Sequence, residues 1–111
     1  MNLKEQFDAE KKHNIEKLGN DEDVKQTGLQ FMLKTGAGKY TYNFSWLGRR
    51  IIQYPQDMVA LQEIIWEIKP DLIIETGIAH GGSLIFSASM LELLGNNGQV
   101  LGVDIDIRHY K

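Results

Sequence analysis

The pattern of apolar and polar positions is clearest in the second half of the chain. A short apolar run over residues 72–74 precedes Glu75, and a second over residues 100–103 precedes Asp104. Between these runs, residues 84–94 carry apolar positions at helical spacing. The order strand, glycine loop, helix, strand is typical of a parallel sheet that holds a ligand above the ends of its strands.

The first half of the chain gives weaker signals. Residues 1–18 carry charges of both signs around a narrow apolar stripe, which predicts a peripheral helix. The polar stretch 19–23 predicts a turn or linker. Glycines interrupt any long periodic pattern over residues 24–54. The alternation of aromatic and polar residues over 40–46 predicts a short strand or an extended lid segment.

A further helix is predicted immediately before the first clear strand. Apolar residues between positions 58 and 68 fall on one helical face. Asp57 is the expected N-cap, with Pro55 just before the first turn. Lys69-Pro70 is expected to end the helix, because proline cannot continue it.

These elements predict an α/β protein. A doubly wound domain usually has about five or six strands, and each parallel crossover takes roughly 30 residues. A chain of 111 residues therefore accommodates only the first part of a Rossmann-like domain. We expect an N-terminal helical and aromatic extension with a lid-like segment over residues 1–45, and the start of the Rossmann-like domain over residues 46–111.

Composition excludes several classes of protein. The chain is 42% hydrophobic and 24% charged, with a net charge of −3 and interleaved signs, which leaves no basic face for nucleic acid. No apolar run approaches the roughly 20 residues that span a bilayer, and the first residues lack the apolar core of a signal peptide. The absence of cysteine excludes disulfides and thiolate chemistry. We expect a cytoplasmic protein with no nucleic-acid or membrane partner.

The loop after the first strand contains Gly77, Gly81 and Gly82. Glycine is needed where φ is positive or where a ligand approaches the backbone closely, although a tight turn without a ligand has the same pattern. Ser83 is a candidate helix cap, and exposed amides at this point favour an anionic group. His80 either touches a ligand or packs within the loop. The spacing departs from the dinucleotide fingerprint, so a nicotinamide cofactor is not favoured.

Carboxylates follow both strands and suggest a ligand. Glu75 can accept hydrogen bonds from an ammonium group, and Asp104 can accept two from a ribose diol. Taken singly, each acid is typical of a solvated strand end. Together with the glycine loop, the pair fits S-adenosylmethionine, which has an amino-acid end and a ribose but no pyrophosphate. Asp106 competes with Asp104 for the ribose, since alternation along a strand would point both the same way.

Ordered motifs between Trp46 and Arg108 resemble the cephalosporin hydroxylase family. They are Trp46-Leu-Gly, Gln53-Tyr-Pro-Gln-Asp57, Gln62-Glu-Ile-Ile, Lys69-Pro-Asp-Leu-Ile-Ile-Glu-Thr-Gly, His80-Gly-Gly-Ser and Gly102-Val-Asp-Ile-Asp-Ile-Arg108. That family resembles class I S-adenosylmethionine-dependent methyltransferases and is related to O-methyltransferases that act on sugars and antibiotics. The resemblance implies a Rossmann-like methyltransferase domain.

The resemblance also implies roles for particular residues. Glu75, the three loop glycines and Ser83 would shape the methionine side of the cofactor site, and Asp104 would bind the ribose. Related methyltransferases use Mg²⁺ to acidify an acceptor hydroxyl. The expected metal ligands and the acid–base residue lie on later strands of the family pattern, so no metal ligand or catalytic residue is assigned in this chain.

The sequence thus predicts a methyltransferase whose acceptor is a hydroxyl of a sugar or other secondary metabolite. One alternative is a non-catalytic, truncated module that binds cofactor weakly or serves in assembly. Another is a nucleotide-dependent enzyme that uses the same acids. We also expect homo-oligomers, because an unpaired sheet edge favours pairing with another copy.

Overall fold

The structure, a computed structural model, describes residues 1–107. These residues form two compact units that divide after Gly38. The first unit contains two α-helices, and the described part of the second contains two α-helices and four strands. No helix within residues 1–107 is both long enough and apolar enough to cross a membrane. The expected domain boundary between residues 45 and 46 stays a prediction, and Arg108, the last residue of the quoted motifs, lies outside the described residues.

The first unit consists of helix α1, Leu3–Gly19, and helix α2, Glu22–Ala37. α1 confirms the helix predicted over residues 1–18. α2 occupies a stretch in which glycines interrupt the periodic pattern, within residues 1–45, where a helical extension with a lid-like segment is expected. Neither helix contains a buried residue.

The start of α2 explains why this helix forms. The Asp21 carboxylate accepts hydrogen bonds from the backbone amides of Asp23 and Val24 at 3.0 and 3.2 Å. Such a cap stabilises a helix by about 0.5–2 kcal/mol. Each of the interior glycines, Gly28 and Gly36, costs roughly 1 kcal/mol relative to alanine. The cap therefore offsets much of the cost that the glycine pattern implied.

The second unit opens with a short 3-10 helix, Tyr40–Tyr42, and a β-hairpin. The hairpin pairs β1, Phe44–Trp46, with β2, Arg49–Ile51, in antiparallel register. Its two-residue turn consists of Leu47 and Gly48, whose φ angles are 47° and 83°. Positive φ at both turn positions matches the twist of hairpin strands. The short strand predicted in this aromatic stretch is confirmed, although the 3-10 helix takes the first part of it.

The predicted strand–loop–helix–strand unit is also confirmed. Helix α3 covers Pro55–Ile68, β3 covers Leu72–Thr76, α4 covers Gly82–Leu94 and β4 covers Gln99–Val103. β3 and β4 are parallel neighbours. The left-handed residue that ends each helix, Lys69 after α3 and Gly95 after α4, lies where the sequence predicts a helix end.

Two predicted N-caps are wrong. The N-cap of α3 is Tyr54, and Asp57 lies in the first turn of the helix. Pro55 is the first helical residue because its fixed φ suits that position, so the helix begins three residues earlier than expected. The N-cap of α4 is Gly81, with a φ of 86°, and Ser83 lies inside the first turn. The Ser83 hydroxyl bonds Glu75 instead of capping the helix.

Helix α4 lies at the centre of the second unit. It contacts both strands of the hairpin, α3 and β4. The buried apolar side chains are Ile51, Ile65, Ile78, Phe86 and Leu91. They come from the hairpin, from both helices and from the loop before α4, so the core is built around this one helix.

The other face of the parallel sheet is open. Leu72 and Ile74 of β3 are 52% and 60% exposed, and Leu101 and Val103 of β4 are 53% and 50% exposed. The register places these four side chains on the same side of the sheet. We call this surface the open sheet face. Parallel sheets are usually covered on both faces, so this surface is suited to contact with another layer of polypeptide.

The close approach of α4 to β2 depends on Gly82. A Cβ at this position would lie 2.7 Å from the Arg50 carbonyl carbon and from Ile51 Cβ. We expect Gly82→Ala to destabilise the second unit by about 1–3 kcal/mol, the usual cost of overpacking. Urea unfolding followed by tryptophan fluorescence measures this, because Trp46 and Trp66 both lie in the second unit.

The matched control is Gly28→Ala in α2, where an added Cβ has no neighbour within 4 Å. This variant should leave the fluorescence transition unchanged. An unchanged urea midpoint for Gly82→Ala would contradict the packing that the structure describes.

Candidate functional site

Two carboxylates lie at the same edge of the parallel sheet. Glu75 is opposite Gly102 in the β3–β4 register, and Asp104 follows β4 directly. Glu75 and Asp104 are both half-buried. Glu75 pairs with Gly102, whose α4-facing side meets Leu84, and Asp104 accepts a hydrogen bond from the Ile78 amide in the loop before α4. The structure thus brings together the two residues that the sequence places at the ends of neighbouring strands.

Glu75 accepts a hydrogen bond from Ser83 in the first turn of α4, and its carboxyl group is partly desolvated. Burial raises the pKa of the Glu75 carboxyl above its ordinary value of 4.5, while a hydrogen bond from the Ser83 hydroxyl lowers it. Glu75 also borders an apolar groove of about 340 Å³ between α3 and β3, which includes Ile65 and Ile73. Apolar walls of this kind disfavour the charged form of a carboxyl group. A cationic group beside Glu75 would reverse that effect.

Asp104 fixes the loop that precedes α4. Its Oδ2 accepts a hydrogen bond from the Ile78 amide at 2.9 Å, and its Oδ1 accepts one from the Asp106 amide at 2.9 Å. The Gly77 amide donates to the Val103 carbonyl at 2.8 Å. The loop is therefore attached to the end of β4 through both main-chain and side-chain bonds.

Asp106 does not share a strand with Asp104. β4 ends at Val103, and the Asp106 amide turns back to the Asp104 carboxylate. The alternation that would point both acids in one direction therefore does not apply. Asp106 is half-buried next to Asp104, and the choice of ribose ligand stays a prediction.

The glycine loop has the backbone that its sequence predicts. Gly77 and Gly81 have φ angles of 76° and 86°, and Gly82 is the position of close approach to β2. Ala79 is also left-handed, at 47°, which the sequence did not indicate because alanine rarely adopts this conformation. The half-buried His80 lies within the turn that the Gly81 amide closes onto the Ile78 carbonyl at 2.8 Å.

Gly102 is a part of the site that sequence reasoning missed. A Cβ on Gly102 would lie 2.7 Å from Ile78 Cγ2 and from Leu84 Cδ1. The absence of a side chain therefore allows the loop and the first turn of α4 to close over the strand opposite Glu75. Its position in the middle of an apolar strand was the available signal, because such a glycine indicates a close approach.

Arg49 is a second residue that the sequence did not single out. The position that a Cβ on Gly81 would take is 3.0 Å from an Arg49 terminal guanidinium nitrogen and 3.6 Å from Arg49 Nε. The side chain of Arg49 thus lies against the glycine loop. The Leu-Gly turn after Trp46 was the available signal, because a hairpin there would place Arg49 opposite Trp46.

Trp46 supports this arrangement from the hairpin. Its indole Nε1 donates to the Ser89 hydroxyl at 3.0 Å, and its ring contacts Phe86 edge-to-face with centroids 4.9 Å apart. Trp46 therefore packs on α4, and this contact fixes the hairpin beside the loop. Among residues 1–107, no group of three or more histidine and acidic side chains is arranged to hold a metal ion.

The family of the chain is identified by comparison with known proteins. The family model described as Rhamnosyl O-methyltransferase/CmcI matches residues 38–111, which include every candidate site residue. A rhamnosyl O-methyltransferase of Mycobacterium leprae is 38% identical over 69 residues, 61% of this chain and 30% of that protein. A rhamnosyl O-methyltransferase of Mycobacterium tuberculosis strain H37Rv is 42% identical over 48 residues, 43% of this chain and 20% of that protein.

Solved structures confirm the methyltransferase-type α/β fold. The structure named "cmcI-N160 SAH" matches with a TM-score of 0.56 and 31% identity, over 58% of this chain and 33% of that chain. The structure "CmcI-N160 apo-structure" matches with a TM-score of 0.57 and 30% identity, over 60% of this chain and 28% of that chain. The chain spans about a third or less of the length of these relatives. Because the family model covers well over half of it, this chain belongs to the rhamnosyl O-methyltransferase/CmcI family, the cephalosporin hydroxylase family that its motifs resemble.

Proposed function

We propose that this chain carries the cofactor-binding part of an S-adenosylmethionine-dependent O-methyltransferase. The observation that supports this most is the position of Glu75 and Asp104 at one edge of a parallel sheet, next to the same glycine loop. A relative of the same fold and 31% identity, "cmcI-N160 SAH", is named for SAH, the demethylated form of this cofactor. Ligands of open α/β sheets bind at this edge.

Each carboxylate suits one part of the cofactor. Glu75 would accept hydrogen bonds from the ammonium group, whose charge would compensate the cost of burying the carboxylate. Asp104 would accept the ribose hydroxyls. Each carboxylate oxygen can accept two hydrogen bonds, so the two backbone bonds of Asp104 do not exclude this role. Asp106 is the alternative ribose ligand.

The loop would complete the methionine side of the site. Gly77, Gly81 and Gly82 present backbone without side chains, which allows close approach of a ligand. Ser83 would orient Glu75 through its hydrogen bond. His80, half-buried in the turn, is the remaining candidate for contact with the cofactor.

The chemistry assigned to this chain is binding and orientation. The cofactor, when bound, supplies a methyl group on a sulfonium for in-line attack by an acceptor oxygen. Alignment of donor and acceptor is a large contribution to such a reaction. The described residues offer no metal-binding cluster, so the proposal includes no step through Mg²⁺ and assigns no catalytic base. A Mg²⁺ ion in a longer protein would take its ligands from outside this chain.

The remaining parts of the proposal concern acceptor, location and assembly. The small-molecule acceptor would be a hydroxyl of a sugar or other secondary metabolite, in line with the names of the rhamnosyl O-methyltransferases. The protein would act in the cytoplasm, where S-adenosylmethionine is made. It would form homo-oligomers, because the open sheet face is an apolar surface that association would cover.

A non-catalytic cofactor-binding or assembly module is the second candidate. The observation that favours it is the open sheet face, in a sheet that has only two strands within residues 1–107. Two-stranded units are weak by themselves, and their outer edges favour pairing with further strands. Under this alternative, the main role of the chain would be contact with another polypeptide.

Calorimetric titration separates these candidates. We expect the chain to bind S-adenosylhomocysteine and not NAD. Glu75→Gln should weaken S-adenosylhomocysteine binding by about 10- to 100-fold, the usual worth of one hydrogen bond to a charged group. The control, Glu63→Gln on the exposed side of α3, should bind like the wild type. Binding of NAD alone would overturn the methyltransferase proposal, and no binding of either ligand would favour the assembly module.

A second prediction concerns stability and pH. Because burial raises the pKa of Glu75, the folded state holds the proton more tightly than the unfolded chain. This stabilising contribution is complete below the unfolded pKa and is lost as the pH rises through the folded pKa. Glu75→Gln should therefore be at least as stable as the wild type at about pH 7, and this advantage should shrink as the pH falls toward 4.5.

Urea midpoints measured between about pH 8 and pH 5 test this expectation, with Glu63→Gln as the control. The glutamine amide oxygen can still accept the Ser83 hydrogen bond, so the substitution changes mainly the charge. A marked loss of stability in Glu75→Gln at neutral pH would show that the carboxylate supports the fold instead of a ligand.

A further inference from the structure

The inference concerns Arg49, which lies at the rim of the candidate site. Arg49 is the first residue of β2 and pairs with Trp46, whose indole is attached to α4 through Ser89. Its terminal nitrogen, Nε and Cζ lie 3.0, 3.6 and 3.7 Å from the position that a Cβ on Gly81 would take. The flat guanidinium group therefore lies against Gly81, a loop residue without a side chain.

Arg49 differs from the other cations of its unit within residues 39–107. Lys39 lies over the Tyr42 ring, Arg50 Nε donates to the Tyr42 carbonyl and Lys69 Nζ donates to the Trp66 carbonyl at 2.7 Å. Arg49, by contrast, makes no ion pair with any described carboxylate, because the ion pairs within residues 1–107 both lie in α1 and α2. It is the half-buried cation next to the glycine loop.

The amino-acid end of the cofactor has two opposite charges, and each requires a partner of the other sign in the site. Glu75, a partly buried carboxyl group, lies at this edge of the sheet. Such a site attracts an ammonium group and repels a carboxylate, yet the amino-acid end of S-adenosylmethionine carries both. A guanidinium group binds a carboxylate with two parallel hydrogen bonds. A carboxylate beside Gly81 would meet this donor pair.

We propose that Arg49 binds the α-carboxylate of the amino-acid end of the cofactor. The proposal rests on the proposed function and adds a residue to it. Glu75 then receives the ammonium group and Arg49 the carboxylate, so the two charges of the amino acid are recognised by opposite charges on different elements, β3 and β2. The hairpin thereby takes part in cofactor recognition and is more than a cover for α4.

The test compares two ligands that differ in one group. S-adenosylhomocysteine carries the carboxylate, and its decarboxylated analogue, S-adenosyl-3-thiopropylamine, keeps the ammonium group and lacks the carboxylate. Calorimetry should show that Arg49→Gln weakens S-adenosylhomocysteine binding by about 10- to 100-fold and leaves the analogue unaffected. Arg49→Lys keeps the charge but loses the pair of parallel donors, so its affinity for S-adenosylhomocysteine should fall between those of Arg49→Gln and the wild type.

Two further variants make the pattern specific. Arg50→Gln removes the neighbouring guanidinium, which is already bonded to the Tyr42 carbonyl, and should change neither affinity. Glu75→Gln should weaken both ligands, because both carry the ammonium group. Tryptophan fluorescence of each variant checks that the hairpin keeps its contact with α4.

Each other outcome overturns the proposal in a recognisable way. If Arg49→Gln binds both ligands like the wild type, Arg49 has no role in binding. If Arg49→Gln and Arg49→Lys weaken both ligands equally, Arg49 supports the loop by packing and does not bind the carboxylate. If the wild type binds neither ligand, the proposed function fails and this inference fails with it. The first two results leave cofactor binding by the chain intact.

Discussion

The attachment of the loop after β3 to the end of β4 is the constraint on which the second unit depends. The Gly77 amide donates to the Val103 carbonyl, and the Ile78 amide donates to the Asp104 carboxylate. Gly102 lets the loop close onto the strand, because a side chain there would clash. These contacts fix the direction of α4 across one face of the sheet, and the core then forms around that helix.

The strand–loop–helix–strand unit of this fold, β3 to β4, could be predicted from the sequence. Apolar runs, helical spacing and the glycine loop identified β3, α4 and β4, because each signal is local. The caps at Asp57 and Ser83 were wrong because two other residues, Pro55 and Gly81, determine where those helices begin. The bounds of α2 could not be predicted, because glycines interrupt its periodic pattern and the stabilising cap at Asp21 is visible only in the structure. Short-range preferences of comparable size compete there, and the sequence does not show which is larger.

Some residues of the candidate site could likewise be placed from the sequence, and others could not. Glu75 and Asp104 could be placed together, because neighbouring parallel strands end at one edge of their sheet. Arg49 could not be placed at the site from the sequence, since its position depends on a hairpin that packs on α4 through the side chain of Trp46. Ala79 could not either, because nothing about alanine indicates a left-handed conformation. Contacts between elements distant in sequence, and backbone angles imposed by both ends of a loop, are not encoded in periodicity.

The left-handed residues of the loop have a consequence for any molecule that meets it. Gly77, Ala79 and Gly81 alternate with ordinary residues in a stretch of five, and alanine adopts this conformation at a cost of roughly 1 kcal/mol. Hydrogen bonds attach the start of this stretch to the end of β4, and α4 fixes its other end. Few other loop conformations are compatible with both attachments. The rim of the sheet is thus preorganised. Its backbone entropy is lost when the chain folds, so an arriving ligand has little further ordering to impose.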